Sequence, residues 1–363
     1  MRKNLETVAA LAAAAVMTIG CGDSSPEEQE EARDPGDIPY ALLSDYQFFD
    51  GDMAEMVPAE GVIPFTVAAP LFSDNAGKGR FIVLPEGGTI EVTEEDEWEF
   101  PVGSIVVKSF FFDTDRRDGP TAEDTRIIET RLLEFSQDGL QSHIYVWNDE
   151  QTEAEYLRAG ADVFVDYVDA AGAAQSQLYL VPDENACGSC HERDDVLRVL
   201  GPTTMQMNRT VDGGTQNQIE WLAEQGVLAG SHDPAALPAL PDPTGDADLD
   251  ARARAYLHGN CSHCHRPGGG GGASGLKFGA TVQEPDQFGV CKVPSAAGAG
   301  AGGNAYDIVP GHPEDSIVVY RMASTDPEIK MPELPSLLAD EVGVEIISEW
   351  IAAMPEQDCA NLD

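Results

Sequence analysis

Two five-residue stretches of this 363-residue chain share the pattern Cys-x-x-Cys-His. They are Cys187-Gly188-Ser189-Cys190-His191 and Cys261-Ser262-His263-Cys264-His265. Two cysteines three positions apart lie on one side of a helical turn, where their sulfurs can form thioether bonds to the two vinyl groups of one haem. The adjacent histidine then reaches the iron as an axial ligand. The sequence therefore predicts two covalently bound haem c groups.

A zinc site built from the two Cys-x-x-Cys pairs is the alternative for these cysteines. Zinc chemistry gives no reason for a histidine to follow each pair directly. Chance is a poor explanation, because the chain holds only seven cysteines and seven histidines. Haem attachment is the prediction that accounts for the whole pattern in both places.

The proximal ligands predicted for the two irons are His191 and His265. Met331 is the predicted distal ligand of the second iron, because it lies in a polar Lys-Met-Pro loop ahead of the last predicted helix. Met322 is the competing thioether, but it ends the apolar run VVYRM, which is typical of a packed segment. Ligation by histidine and methionine would raise the reduction potential of the second centre relative to two histidines.

The distal side of the first iron is not identified by the sequence. An open iron position, which would permit peroxide chemistry, is the alternative to a protein ligand. Met205 and Met207 are candidates because they lie near the first motif in the sequence, and His143 and His232 are candidates if the fold brings them to the haem. The histidines predicted to be non-ligands are His258, His263 and His312.

The first 21 residues are typical of a secretion signal. Arg2 and Lys3 precede an apolar run over residues 8–19, which is too short to cross a bilayer. Cys21 is the predicted lipidation site of a lipoprotein-type signal, with plain cleavage near residue 20 as the alternative. Haem is attached to such motifs outside the bacterial cytoplasm. The chain is therefore expected to be exported to the periplasm or the outer membrane, held there by a lipid anchor.

Cys291 and Cys359 remain after four cysteines are assigned to haem and one to lipid. In an oxidising compartment these two are predicted to form a disulfide that ties the chain end to the second haem region. Two separate buried thiols are the alternative, since the sequence does not show their separation.

The formal charge of −43 arises from 64 acidic and 21 basic residues spread along the chain. Such a charge excludes nucleic acid as a partner and repels anionic membrane surfaces. It would steer basic redox partners toward the protein at low salt, and adaptation to saline surroundings explains it equally well.

An N-terminal β-domain is predicted over residues 40–182, after an acidic disordered tether over residues 22–39. Short apolar segments separated by turn residues favour an antiparallel sandwich or a barrel-like sheet. The predicted strands cover residues 81–85, 89–93, 104–112, 126–135, 143–148 and 177–181.

Helices are predicted in the remainder of the chain, which gives an α+β multidomain protein. Residues 183–232 form a first haem-binding segment with helices at 192–200 and 216–228, and residues 233–245 form a proline-rich linker. Residues 246–363 are predicted to be an all-α monohaem cytochrome c domain, with helices at 246–260 and 340–354.

The chain resembles a family of exported bacterial dihaem c-type cytochromes of largely unassigned role, which is related to a C-terminal region of some sorbosone-dehydrogenase-like proteins. The resemblance implies that the four motif cysteines, both motif histidines and Met331 hold haem, and that the β-domain belongs to the same unit. Two departures from the family lie at Met205-Gln206-Met207-Asn208 and at His312. The matching segments begin at Leu71 (LFSDNAGKGRFIVLPEG), Trp98 (WEFPVGSIVVKSFFF), Tyr145 (YVWNDEQTEAE), Cys187 (CGSCH), Asn217 (NQIEWLAEQGVL), Arg252 (RARAYLHGNCSHCHRPGG), Tyr306 (YDIVPGHPEDSIVVYRM) and Lys330 (KMPELP).

Electron transfer between unidentified redox partners is the function that these features favour. A dihaem peroxidase or oxidase with an open first iron is one alternative. A partner-binding or glycan-binding module that supplies electrons to a redox enzyme is another. The sequence shows no acid-base group beside the first motif that would favour catalysis over electron transfer.

Overall fold

An antiparallel sheet of six strands is the largest element of the fold. The structure is a computed structural model that describes residues 38–93, 97–117, 121, 124–211, 214–295, 297–333 and 336–361. The strands are hydrogen-bonded in chain order, so that each pairs with the next along the sequence. They are β1 (Val62–Pro64), β2 (Gly77–Val83), β3 (Ile105–Asp113), β4 (Thr125–Ser136), β5 (Gly139–Trp147) and β6 (Ala154–Tyr156).

Two hairpins accompany this sheet. The hairpin of β7 (Ala161–Val168) and β8 (Ala174–Val181) places Val165 and Tyr179 in a buried cluster with Phe110 and Phe112 of β3. The second hairpin is short and consists of β9 (Glu192–Arg193) and β10 (Val196–Leu197).

All but one of the segments predicted as strands contain a strand. The exception is 89–93, which forms only single bridges, from Ile90 to Leu228 and from Glu91 to Glu99. Ile90 is nonetheless fully buried, because it joins a core that also contains Leu222 of a helix. The apolar pattern of 89–93 therefore reflects packing against helical residues and not strand pairing.

Six α-helices lie in the described residues, and the longest has 13 residues. Asp248 and Asp340 cap the two long helices, since their carboxylates accept hydrogen bonds from Ala251 N (3.0 Å) and Gly343 N (3.1 Å). The helices are α1 (Gly188–His191), α2 (Thr204–Met207), α3 (Gln218–Glu224), α4 (Leu249–Asn260), α5 (Ile317–Met322) and α6 (Glu341–Ala353).

The predicted fold class was wrong. The protein is mostly β, organised by the six-stranded antiparallel sheet, and residues 246–363 are not an all-α cytochrome c domain. The helices predicted at 246–260 and 340–354 are present as α4 and α6, but the described residues between them form only α5 and single 3₁₀ turns. Residues Pro39–Asp363 form one compact unit.

The helix predicted at 192–200 was also wrong, since this segment forms the β9–β10 hairpin. Asp194 and Asp195 adopt positive φ angles of 52° and 60°, which a helix does not allow. Aspartate tolerates this conformation better than most residues, so the Asp-Asp pair makes the turn.

The C-terminal helices α4 and α6 pack on each other over a core that contains Leu257, Ile347 and Trp350. A disulfide joins Cys291 and Cys359, whose Cα atoms lie 5.0 Å apart, and ties the end of the chain to this part. Among the described residues, no helix is both long and apolar enough to span a bilayer. The predictions for residues 1–37, including lipidation of Cys21, lie outside the described residues.

Replacement of Gly259 by alanine tests whether α4 packs directly on the β part of the chain. A Cβ at Gly259 would collide with the carbonyl oxygen of Ala69 and lie 3.0 Å from the Ala69 Cβ. In an unhindered helix the same change would stabilise by about 1 kcal/mol. We expect Gly259→Ala to lower the free energy of unfolding in a denaturant titration, and a gain in stability would contradict the packing.

Removal of the disulfide tests its contribution to stability. The bond closes a loop across 68 positions, and loops of this size contribute about 2–4 kcal/mol. We expect the double variant Cys291→Ser/Cys359→Ser to lose this amount in the free energy of unfolding. Reduced wild-type protein should match the variant, and equal stability of the oxidised protein and the variant would show that the bond contributes nothing.

Candidate cofactor site

The first Cys-x-x-Cys-His motif follows strand β8 through a tight turn. The Asp183 carboxylate accepts a hydrogen bond from Ala186 N (2.9 Å) and starts a 3₁₀ turn over Glu184–Cys187. Helix α1 continues directly and ends at His191. This compact turn directs Cys187, Cys190 and His191 toward one cavity.

That first cavity has a volume of about 780 Å³ and lies between the motif and one face of the large sheet. A volume of this size is within the range of about 300–1,000 Å³ for cofactor and ligand pockets. Val106 and Phe110 of β3 form part of its apolar wall, and Ile144 of β5 adds to it.

His191 is oriented by the hairpin that replaces the predicted helix. Nδ1 of His191 lies 2.8 Å from the carbonyl oxygen of Arg198, and Arg198 N donates to His191 O (2.7 Å). A carbonyl only accepts, so Nδ1 carries the proton and Nε2 is free to bind a metal. Burial lowers the pKa of His191 to about 4, which keeps the ring neutral at physiological pH.

The second motif follows α4, whose last residue is Asn260. It lines a second cavity of about 330 Å³, with Cys261, Cys264 and His265 on one side. Met331 lies on the wall of the same cavity. The structure therefore brings the predicted proximal and distal ligands of the second iron to one cavity, although they are far apart in sequence.

His265 is held in the same way as His191. The Ser274 hydroxyl donates to Gly271 O (2.6 Å) and so accepts from Nδ1–H of His265 (3.0 Å). Nε2 of His265 is again left free. Burial lowers the pKa of His265 to about 4, and the ring packs edge-on against Phe278.

Both candidate methionines line the second cavity. Met322 belongs to the buried core around α4 and α6, as its apolar sequence neighbours indicated. Met331 is only half-buried, and its loop is fixed by a hydrogen bond from Met331 N to Arg321 O (3.0 Å). The Lys330 ammonium, which donates to Pro332 O (2.9 Å), holds the loop on its other side.

The two motifs meet in space, which the sequence did not indicate. The ligand atoms of Cys190, His263 and Cys264 all lie within 4.8 Å of one another, and the Cys264 thiol donates to Ser189 O (3.3 Å). Cys190 and His263 line both cavities. The two cavities are therefore neighbours that share a wall.

The two Cys-x-x-Cys pairs do not form a four-ligand zinc site in this geometry. A structural zinc site takes four ligands in a tetrahedron. Within the described part of the chain, the cluster of Cys190, His263 and Cys264 gathers only three. Cys187 and Cys261 each line a different cavity, so the four motif cysteines do not converge.

The distal candidates for the first centre fall into two groups. Met205 lines the first cavity. Met207 is fully buried in the core, His143 pairs with Glu134 (3.1 Å), and Nε2 of His232 lies 2.7 Å from Ala229 O. None of these three lines either cavity.

Two histidines expected to be non-ligands lie at the cavities, and one does not. His258 lines the first cavity, and Nδ1 of His258 accepts a weak hydrogen bond from Ala280 N (3.3 Å). His263 lies between the cavities, as described above. His312 is at the surface, 3.5 Å from a Glu314 carboxylate oxygen. The position of His258 at this cavity could not be predicted from the sequence, because it depends on how α4 packs on the β part of the chain.

The first cavity also has a basic wall that sequence analysis missed. Arg80, Lys108 and Arg131 line it, each from a different strand. The sequence feature that could have predicted this wall is Lys108. It lies between Val106 and Phe110 on the same face of β3, which lines the cavity. A single charged residue between apolar ones on a buried face indicates a functional contact.

Glu97 links the two motif regions electrostatically. Its carboxylate contacts Arg266, directly after the second motif, at 2.8 Å, and Arg193, two residues after the first, at 3.3 Å. The Glu97 side chain is only 8% exposed, so solvent screens these ion pairs weakly.

The Glu97→Gln variant tests this link. The amide cannot compensate two partly buried guanidinium groups, so we expect a loss of about 2 kcal/mol in the free energy of unfolding. Glu99→Gln, at an exposed neighbouring position, is the matched control and should be neutral. Equal stability of the two variants would show that Glu97 does not join the motif regions.

Comparison with known proteins identifies no relative of this chain. No family model, no curated protein and no solved structure matches it. Residue roles are therefore inferred from the cavities, hydrogen bonds and charges of the chain itself.

Proposed function

We propose that the chain is an exported dihaem c-type cytochrome that transfers single electrons between redox partners. The observation that carries this proposal is the matched arrangement of the two motifs. Each motif lines its own cavity, and each motif histidine has Nδ1 engaged and Nε2 free. That arrangement is typical of histidines that ligate metals.

The residues present fit covalent haem. Cys187 and Cys190 would hold the first group and His191 its iron, while Cys261 and Cys264 would hold the second and His265 its iron. Met331, which lines the same cavity, would be the distal ligand of the second iron. Bound haem supplies an iron that is reduced and oxidised one electron at a time.

The wall shared by the two cavities favours electron transfer between the two sites, as opposed to two sites that act independently. Cys190 belongs to the first motif and also lines the second cavity. His263 fills the space between them with a largely buried ring. The protein thereby keeps the two sites adjacent.

Export and lipid anchoring at Cys21 belong to the same proposal. They rest on residues 1–21 and on the requirement that haem be attached outside the cytoplasm. The redox partners are unidentified, and the net charge of −43 favours partners with a basic surface.

Haem content tests the proposal directly. A pyridine haemochrome assay of purified wild-type protein should give two haems per chain. The variants Cys187→Ala/Cys190→Ala and Cys261→Ala/Cys264→Ala should each retain one, because each removes both thioether bonds of one group. Cys291→Ser/Cys359→Ser is the control and should retain two. A wild-type count of zero or one would overturn the proposal.

The distal ligand of the second iron is tested by exchanging thioethers for leucine at nearly constant volume. We expect Met331→Leu to remove the weak near-infrared band of methionine-ligated ferric haem and to lower the potential of one centre. Met322→Leu lines the same cavity and is the matched control, in which the band should persist. Loss of the band in the Met322 variant alone would assign the ligand to Met322.

A further inference from the structure

Three basic residues form a row across the middle of the large sheet. In the strand register, Arg80 of β2 faces Lys108 of β3, and Lys108 faces Arg131 of β4. Like charges directly opposite each other destabilise a sheet. All three side chains line the first cavity, so their charges are concentrated on one wall of it.

Burial makes this basic row costly. The pKa of Lys108 is well below its ordinary value, first because of burial and then because of Arg80 and other nearby cations. Burial likewise lowers the pKa of Arg80 to about 10. A charge removed from water requires a counter-charge or it destabilises the fold.

Among the described residues, only Arg131 of this row has a protein counter-ion. Arg131 makes two hydrogen bonds to Glu129, of 2.8 and 2.5 Å, and Tyr179 also donates to this carboxylate (2.7 Å). Within the described residues, no hydrogen bond or ion pair joins Arg80 or Lys108 to a carboxylate. The Lys108 ammonium instead lies 4.8 Å from the centre of the Phe110 ring, which is a weak interaction by comparison.

We propose that Arg80 and Lys108 bind the two propionate carboxylates of the haem attached at Cys187 and Cys190. This inference rests on the proposed function. Arg80 and Lys108 face a cavity whose predicted cofactor carries two carboxylates, one for each cation. Of the acids that line the same cavity, Glu97 already pairs with Arg193 and Arg266, and Asp183 accepts a hydrogen bond from Ala186 N. The pairing of β2 with β3 holds Arg80 and Lys108 at a fixed spacing on the wall of this cavity. A small diffusible carboxylate is the other source of the same chemistry.

The reduction potential of the first haem is the primary readout. The variant Cys261→Ala/Cys264→Ala retains the first haem alone and avoids overlap with the second. In that background we expect Lys108→Met and Arg80→Met each to lower the midpoint potential, because an uncompensated propionate favours ferric iron. Arg116→Met removes a positive charge that packs on Tyr167, outside the cavity, and should leave the potential unchanged.

The complementary background is Cys187→Ala/Cys190→Ala, which retains the second haem alone. There the potential should not respond to Lys108→Met. An unchanged potential of the first haem in both the Lys108 and Arg80 variants would overturn the assignment.

Stability gives a second, independent readout that a merely structural role would not reproduce. Without the first haem, Lys108→Met removes a buried charge and should raise the unfolding temperature. With both haems attached, the same substitution breaks an ion pair and should lower it. The same sign of the effect in both backgrounds would overturn the proposal.

A free carboxylate is tested with succinate. We would titrate the dihaem protein with succinate in a calorimeter. If succinate binds, and Lys108→Met abolishes this binding without changing the midpoint potential of the first haem, the basic row binds a diffusible anion. The assignment to the haem propionates would then be wrong. The haem count separates this failure from failure of the proposed function. A wild-type protein without two haems invalidates the function, whereas two haems with an unresponsive potential invalidate only the role of the basic row.

Discussion

The close approach of helix α4 to the segment after β1 determines how the two motifs are placed. Gly259 has no side chain, so the α4 backbone lies directly against Ala69. The side chain of the next residue, Asn260, accepts a hydrogen bond from Phe72 N (2.7 Å). Ala69 is itself held by the side chain of Gln206, which accepts from Ala69 N (2.8 Å) and donates to Ala69 O (3.1 Å). Because the second motif begins at residue 261, this contact positions it against the first motif.

This contact also explains why an all-α C-terminal domain is the wrong description. A helix that packs its glycine and asparagine on another part of the chain cannot form a closed bundle with α6 alone. Its opposite face still packs on α6 through Leu257, as the helical period predicted. The amphipathic pattern of α4 predicted its contact with α6. Its contact with the segment after β1 uses small and polar residues of α4, which an amphipathic pattern does not reveal.

The sequence predicted most of what is local and little of what depends on long-range packing. The motifs, the two capped helices and most strands follow from spacing, caps and alternation. The Cys291–Cys359 bond was predicted by elimination and is present. The proximity of Cys190 to Cys264 was not predicted, because it depends on how α4 packs against loops of the β part. The basic row likewise depends on strand register, which brings together Arg80, Lys108 and Arg131 from three separate segments of the chain.

The basic row places an unusual demand on folding. A chain with a net charge of −43 has ample acidic residues to pair every cation. Yet among the described residues no hydrogen bond or ion pair joins Arg80 or Lys108 to a carboxylate, although Glu97, Asp162 and Asp183 also line the cavity. Pairing them internally would have required one more acid for each, of the kind that Glu129 provides for Arg131. In the proposed holo-protein the missing anions arrive with the cofactor, so that part of the electrostatic stability of the sheet depends on cofactor attachment. The covalent bonds at Cys187 and Cys190 would then do more than retain the group, because they would also make this stabilisation independent of cofactor concentration.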